Sequence, residues 1–139
     1  SLLTILLTFS ISAYAMEDSG EYFYYHTEQG IVLSYCSKEP VGVVIVPKEI
    51  DNRPVIGFAL DCFTSKHQMT EIILPETMLW LEDGAFINCT NLKRIVLPKK
   101  MADTNGGNYF QDCTSLTDIV LPENLETISY ATFKNCISL

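Results

Sequence analysis

A short segment recurs along this chain, and no other feature limits the possible folds as tightly. Glu71-Ile72-Ile73-Leu74-Pro75 returns as Arg94-Ile95-Val96-Leu97-Pro98 and as Asp118-Ile119-Val120-Leu121-Pro122, with a looser copy at Val43-Val44-Ile45-Val46-Pro47. Pro75, Pro98 and Pro122 stand 23 and 24 residues apart. A unit of that length cannot close a core alone, so its copies must stack into a solenoid and share one. Other slots keep the same phase. Phe86, Phe110 and Phe133 follow their prolines by 11, 12 and 11 residues, Cys89, Cys113 and Cys136 come three later, and Leu92, Leu116 and Leu139 three later again. The earliest copy is degenerate, with Phe63 and Met69 in the Phe and Leu slots and Lys66 in the Cys slot. Five extra residues, assigned to 51–55, lengthen it.

Each coil opens with a strand. Alternation sends Ile72 and Leu74 to one side and Glu71 and Ile73 to the other. Proline lacks the N–H that a ladder needs and stops the strand at the same place in each copy. Met78, Met101 and Leu125 then turn the chain around the back, where Thr104 departs from the apolar pattern, and Phe86, Phe110 and Phe133 fill the far side. An Asn or Asp two positions beyond each of these Phe residues suits the return turn. Asn105-Gly106-Gly107-Asn108 breaks the third coil with turn formers. It predicts a protruding mobile loop, and no fingerprint leading into a helix supports a phosphate cradle there.

The first 15 residues are uncharged, apolar from Leu2 to Ile11, and end in the small-x-small sequence Ala13-Tyr14-Ala15. This predicts a signal peptide at residues 1–15, with an amino terminus that is itself incomplete, and a mature chain from Met16. A membrane anchor is the competing reading, but the run falls short of the roughly 20 residues that span a bilayer. Residues 16–41 do not obey the repeat. Tyr22-Phe23-Tyr24-Tyr25 and Ile31-Val32-Leu33-Ser34-Tyr35 flank Glu28-Gln29-Gly30, which predicts a β-hairpin cap over the open end of the first coil. The aromatic run alternatively forms a sugar-stacking platform. Residues 42–139 hold about four coils, the last cut short, as in a fragment of a longer array.

Export makes the five cysteines a redox question. Cys89, Cys113 and Cys136 share a slot and should stack as a buried apolar column about 4.8 Å apart. A Cys89–Cys113 bridge remains open on that spacing. Cys62 falls on the small-residue slot of Ala85, and Cys36 has no counterpart.

These residues carry a family resemblance. The Ile-x-Leu-Pro strand, the Ala85-Phe86-Ile87-Asn88-Cys89 segment and the following Leu resemble the BspA-like leucine-rich repeats of secreted and cell-surface proteins. So does the lead-in Gly42-Val43-Val44-Ile45-Val46-Pro47 with Ile50-Asp51-Asn52-Arg53-Pro54-Val55, although Asn52 stands where glycine is common. The resemblance implies a right-handed leucine-rich repeat solenoid with a parallel concave sheet and short helical or irregular convex segments. It also implies export and binding of host proteins, matrix proteins or other cells, with no catalytic residues and no cofactor.

Function is then expected on the sheet's outward side chains. Val43, Glu71, Arg94 and Asp118 form one column, and Ile45, Ile73, Val96 and Val120 form the next. A continuous exposed stripe of β-branched residues marks a partner site, unless these side chains only favour strand geometry and touch across the ladder. The partner is a protein or cell-surface ligand, or a glycan. The net charge of −8 argues against nucleic acid and anionic lipid, since both need clustered Lys and Arg, and the mature chain has no stretch for membrane insertion.

Catalysis and metal binding have little support in the sequence. His67, Asp61 and Ser65 fall in one solvent-facing turn, whereas a triad converges through the fold. His26 stands alone after the aromatic run, the Cys column lacks the close pairs of tetrahedral zinc sites, and Glu82-Asp83 offers too few oxygens for calcium. Asn88-Cys89-Thr90 fits a glycosylation sequon but reads as a structural turn. Adhesion or protein recognition without enzymatic activity is therefore the leading expectation. The alternatives are a targeting module of a secreted hydrolase whose catalytic domain lies beyond residue 139, and a self-assembling surface-coat component.

Overall fold

The computed structural model describes residues 16–59, 62–101 and 107–139. The expected signal peptide, Thr104, and the Asn105-Gly106 half of the expected loop lie outside them, as does Asp61. Nine strands follow in chain order: β1 (Met16–Asp18), β2 (Tyr22–His26), β3 (Ile31–Cys36), β4 (Gly42–Ile45), β5 (Glu49–Ile50), β6 (Arg53–Phe58), β7 (Met69–Ile73), β8 (Arg94–Val96) and β9 (Asp118–Val120). No helix occurs among the described residues, and the backs of the coils are successions of turns.

The repeat sets the first sheet. β4, β7, β8 and β9 lie side by side in parallel, so the chain winds through about three turns. Val44, Ile72, Ile95 and Ile119 pair in register, as do their neighbours on either side. Ile72 and Ile95 are buried, and Leu74 and Leu97 join them in the core. Spacing by three in the sequence becomes one reverse turn in space: the amides of Met78, Met101 and Leu125 donate to the carbonyls of Pro75, Pro98 and Pro122, each at 3.1 Å. That bond points each of these apolar side chains back toward the interior.

The far side is bound as regularly. Phe63 stacks on Phe86 with centroids 5.9 Å apart, and Phe110 on Phe133 at 5.7 Å, continuing one column of rings through the coils. Two residues beyond each Phe, the backbone of Ser65, Asn88, Asp112 and Asn135 takes φ of 56°, 60°, 62° and 58°. Asn and Asp visit this left-handed region more readily than other side chains. The same four residues link successive coils through side chains as well, Asn88 Nδ2 donating to Ser65 Oγ at 3.3 Å and Asn135 Nδ2 to Asp112 Oδ1 at 2.6 Å. Their amides follow suit: Ser65, Asn88 and Asp112 donate to the carbonyls of Ile87, Gln111 and Lys134 in the next coil, each at 2.8 Å.

The cap contains the expected antiparallel hairpin of β2 and β3, but it is larger than that. A second sheet runs β1-β2-β3-β6-β5, with β3 and β6 parallel. The five extra residues of the first coil thus supply a turn and the start of β6. Asp51 and Asn52, at φ 52° and 58°, make the tight turn between β5 and β6, and β6 then carries the chain onto the cap. This explains Asn52: glycine is common at such a position because φ is positive. Strand alternation sends Tyr22 and Tyr24 into the main core, which removes two of the four aromatics from a sugar platform. The other face of β3 and β6 buries Val32, Ile56 and Ala59 under Leu79 and Trp80. Trp80 lies flat over Gly57, whose missing Cβ would stand 2.3 Å from the indole.

Candidate functional site

Strand alternation and parallel register together put the eight expected residues on one face. Val43, Glu71, Arg94 and Asp118 occupy one row of paired positions, and Ile45, Ile73, Val96 and Val120 occupy the next. The second row is open to solvent, with relative exposures of 68% for Ile45, 44% for Ile73, 40% for Val96 and 46% for Val120. An isolated exposed apolar side chain means little, but four in adjoining positions make a continuous apolar stripe.

The first row is charged in alternation. Arg94 sits between two acids, its Nε 3.6 Å from Glu71 Oε1 and its Nη1 bonded to Asp118 Oδ2. Opposite charges on neighbouring strands attract at this spacing, though partial exposure keeps the contribution modest. The guanidinium is thereby held between the two carboxylates. Val43 heads the row and is exposed. Beside it, a cleft of about 250 Å³ opens between the cap and β4, lined by Glu21, Tyr22, Cys36, Glu39, Val43 and Ile45 among others. Glu39 in its lining is held by an ion pair with Lys66 at 3.6 Å. The apolar stripe thus runs from the last coil into a concave pocket at the cap.

The cysteines are all free thiols. Cys89 and Cys113 are buried and Cys136 is half-buried, and their thiols donate to the carbonyls of Phe63, Phe86 and Phe110 at 2.9, 3.1 and 3.0 Å. The bridge left open between Cys89 and Cys113 is therefore absent, and each thiol instead satisfies a carbonyl of the preceding coil. Cys36, which had no counterpart in the repeat, meets Cys62: its thiol donates to the Cys62 carbonyl at 2.9 Å. The hydrogen bond between the two thiols lowers Cys36 from the ordinary thiol range, while burial raises Cys62.

His67 hydrogen-bonds Thr90 at 3.1 Å through Nδ1, in a link between coils rather than a catalytic array. Asp83 accepts the Gly107 amide at 2.8 Å, and the neighbouring Glu82 is pushed up by burial and then by Asp83. His26 is not isolated as its sequence context implied. It faces Glu17 and Asp51, which lie 9 residues before it and 25 after it and share no repeat with it. Hydrogen bonding to Asp51, then burial and Glu17, raise the Tyr24 hydroxyl beside them above the ordinary phenol value.

Comparison with known proteins agrees with this architecture. The family model described as BspA type leucine rich repeat region matches residues 51–139 in six copies. A leucine rich repeat protein of T. pallidum is similar in structure, at 23% sequence identity and a TM-score of 0.70, with 90% of this chain and 69% of that one covered. A leucine-rich repeat protein from Bacteroides ovatus ATCC 8483 is similar at 24% identity and a TM-score of 0.71, with 86% of this chain and 33% of that one covered. No curated protein matches.

Proposed function

The chain belongs to the BspA-type leucine-rich repeat family, and from that premise we propose that it is a secreted or cell-surface recognition module whose outward sheet face binds a protein partner. Leucine-rich repeat domains bind protein partners, and the fold is typically a non-catalytic scaffold. The observation that carries the reading is the apolar row Ile45, Ile73, Val96 and Val120, solvent-exposed beside the Glu71, Arg94 and Asp118 charge row. Apolar area supplies affinity on burial, and the alternating charges fix orientation and reject mismatched surfaces. The cleft beside Val43 and Ile45 gives one end of the stripe a place for an anchoring side chain.

Export is supported by the uncharged apolar segment ending in Ala13-Tyr14-Ala15. BspA-type proteins are often secreted or displayed at bacterial surfaces. Among the described residues no helix is long and apolar enough to cross a membrane.

Ile73→Glu combined with Val96→Glu tests the face. Both side chains point outward, so the double variant should keep its melting transition while losing binding in a screen against matrix proteins, glycans and whole cells. A variant that binds as the native chain does excludes this face.

A further inference from the structure

His26 ends β2 with its Nε2 3.5 Å from Glu17 Oε1 and 3.4 Å from Asp51 Oδ2. Three separate stretches create this meeting: β1, β2 and the turn between β5 and β6, where Asp51 holds a positive φ. The ligand-capable atoms of the three residues all lie within 4.8 Å of one another.

Two features fit the group to a bound cation. Both His26 separations exceed the about 2.7–2.9 Å of a charge-assisted N–H···O bond, as does the Arg94–Glu71 ion pair at 3.6 Å. They also match the edge of a tetrahedron built on bonds of about 2.0–2.2 Å, which is about 3.3–3.6 Å. The two carboxylates are tied together by a third side chain. The Tyr24 hydroxyl lies 2.6 Å from Asp51 Oδ2 and 3.1 Å from Glu17 Oε2, so one phenol proton stands between two anionic groups. Among the described residues, neither carboxylate has a lysine or arginine partner. One nitrogen and two oxygens therefore converge on a point, with negative charge left over.

We propose that Glu17, His26 and Asp51 form a site for a divalent transition cation of the zinc class, with Tyr24 orienting both carboxylates. Zinc accepts this mixture of imidazole and carboxylate ligands in a tetrahedron, whereas calcium requires six or more oxygens. The fourth corner opens to solvent, since Glu17 and Asp51 are each about half exposed. Tyr24 acts as outer partners of metal ligands do elsewhere, holding Glu17 through the oxygen turned away from His26 and Asp51 through the oxygen that faces it. The bound ion ties β1, which has only three paired residues, to the turn at the far edge of the cap sheet.

Titration of the full chain with Co²⁺, followed by competition with Zn²⁺, tests the site. One equivalent of Co²⁺ should produce the visible d–d bands of a tetrahedral ion without sulfur-to-cobalt charge transfer, and Zn²⁺ should displace it. His26→Gln and Asp51→Asn should each abolish the bands with the circular dichroism spectrum unchanged. Asn at position 51 keeps the left-handed turn, so that variant guards against a folding artefact. Tyr24→Phe should weaken binding about tenfold or more. Absence of the bands, charge transfer from a cysteine, or full-strength binding by both His26→Gln and Asp51→Asn would overturn the assignment.

Discussion

The rings of Phe86 and Phe110 lie parallel, with centroids 5.5 Å apart and an interplanar angle of 0°. Each ring fills the space its neighbour's coil cannot fill. Phe86→Ala therefore opens a cavity between coils and should cost about 3–5 kcal/mol in urea unfolding. Phe133, half-buried at the other end of the column, should cost less. Equal losses at the two positions would mean that the rings pack independently.

Burial pushes the Cys89 thiol up to about 11, and burial and then the neighbouring Cys89 push Cys113 further. A thiol raised on folding holds its proton more tightly in the native state. Its contribution is complete below the unfolded value of about 8.5 and is lost as pH climbs through the folded value. The melting temperature of the reduced protein should fall from about pH 9 to about pH 11. Cys89→Ala should flatten that slope, and parallel declines would show that other groups cause it.

Asn88 combines a φ of 60° with a hydrogen bond to Ser65. Asn88→Gly keeps the turn and loses only the bond, at a cost of about 1 kcal/mol. Asn88→Val adds the penalty of a β-branched side chain in the left-handed region, about 1–2 kcal/mol more. Denaturation midpoints ranked native, Gly, Val would bear this out, and a Val variant as stable as the Gly variant would contradict it.

Gly57→Ala drives a methyl group into the indole of Trp80, 2.3 Å from its nearest ring atom. Overpacking of this kind should cost about 1–3 kcal/mol. Trp80 is the sole tryptophan, so its displacement should shift the intrinsic emission to longer wavelength. An unchanged spectrum with unchanged stability would place the indole elsewhere.

The sheet was legible because a translational repeat names its own neighbours: equal phase in sequence becomes adjacency in space. Ile72, Ile95 and Ile119 needed no other signal. The outward rows followed from alternation alone, although their role in recognition is our proposal. Where the repeat lapses, that reasoning stops. Residues 51–55 have no second copy to compare with and stand in the sequence only as extra residues, while the pairing of β6 with β3 depends on contacts between distant, dissimilar segments. The meeting of His26 with Glu17 and Asp51 was hidden for the same reason. Asn52 did carry a usable signal, since Asp-Asn before a strand suits a left-handed turn.

The amides of Ser65, Asn88 and Asp112 all donate forward, each to the winding that follows. Every winding is thus a giver on one side and a receiver on the other, like bricks with a stud above and a socket below. A stretch of one period copied beside itself would find both fittings already in place. Growth of such a protein by tandem duplication therefore asks for no new interface, and its length is free to change while its architecture stays the same.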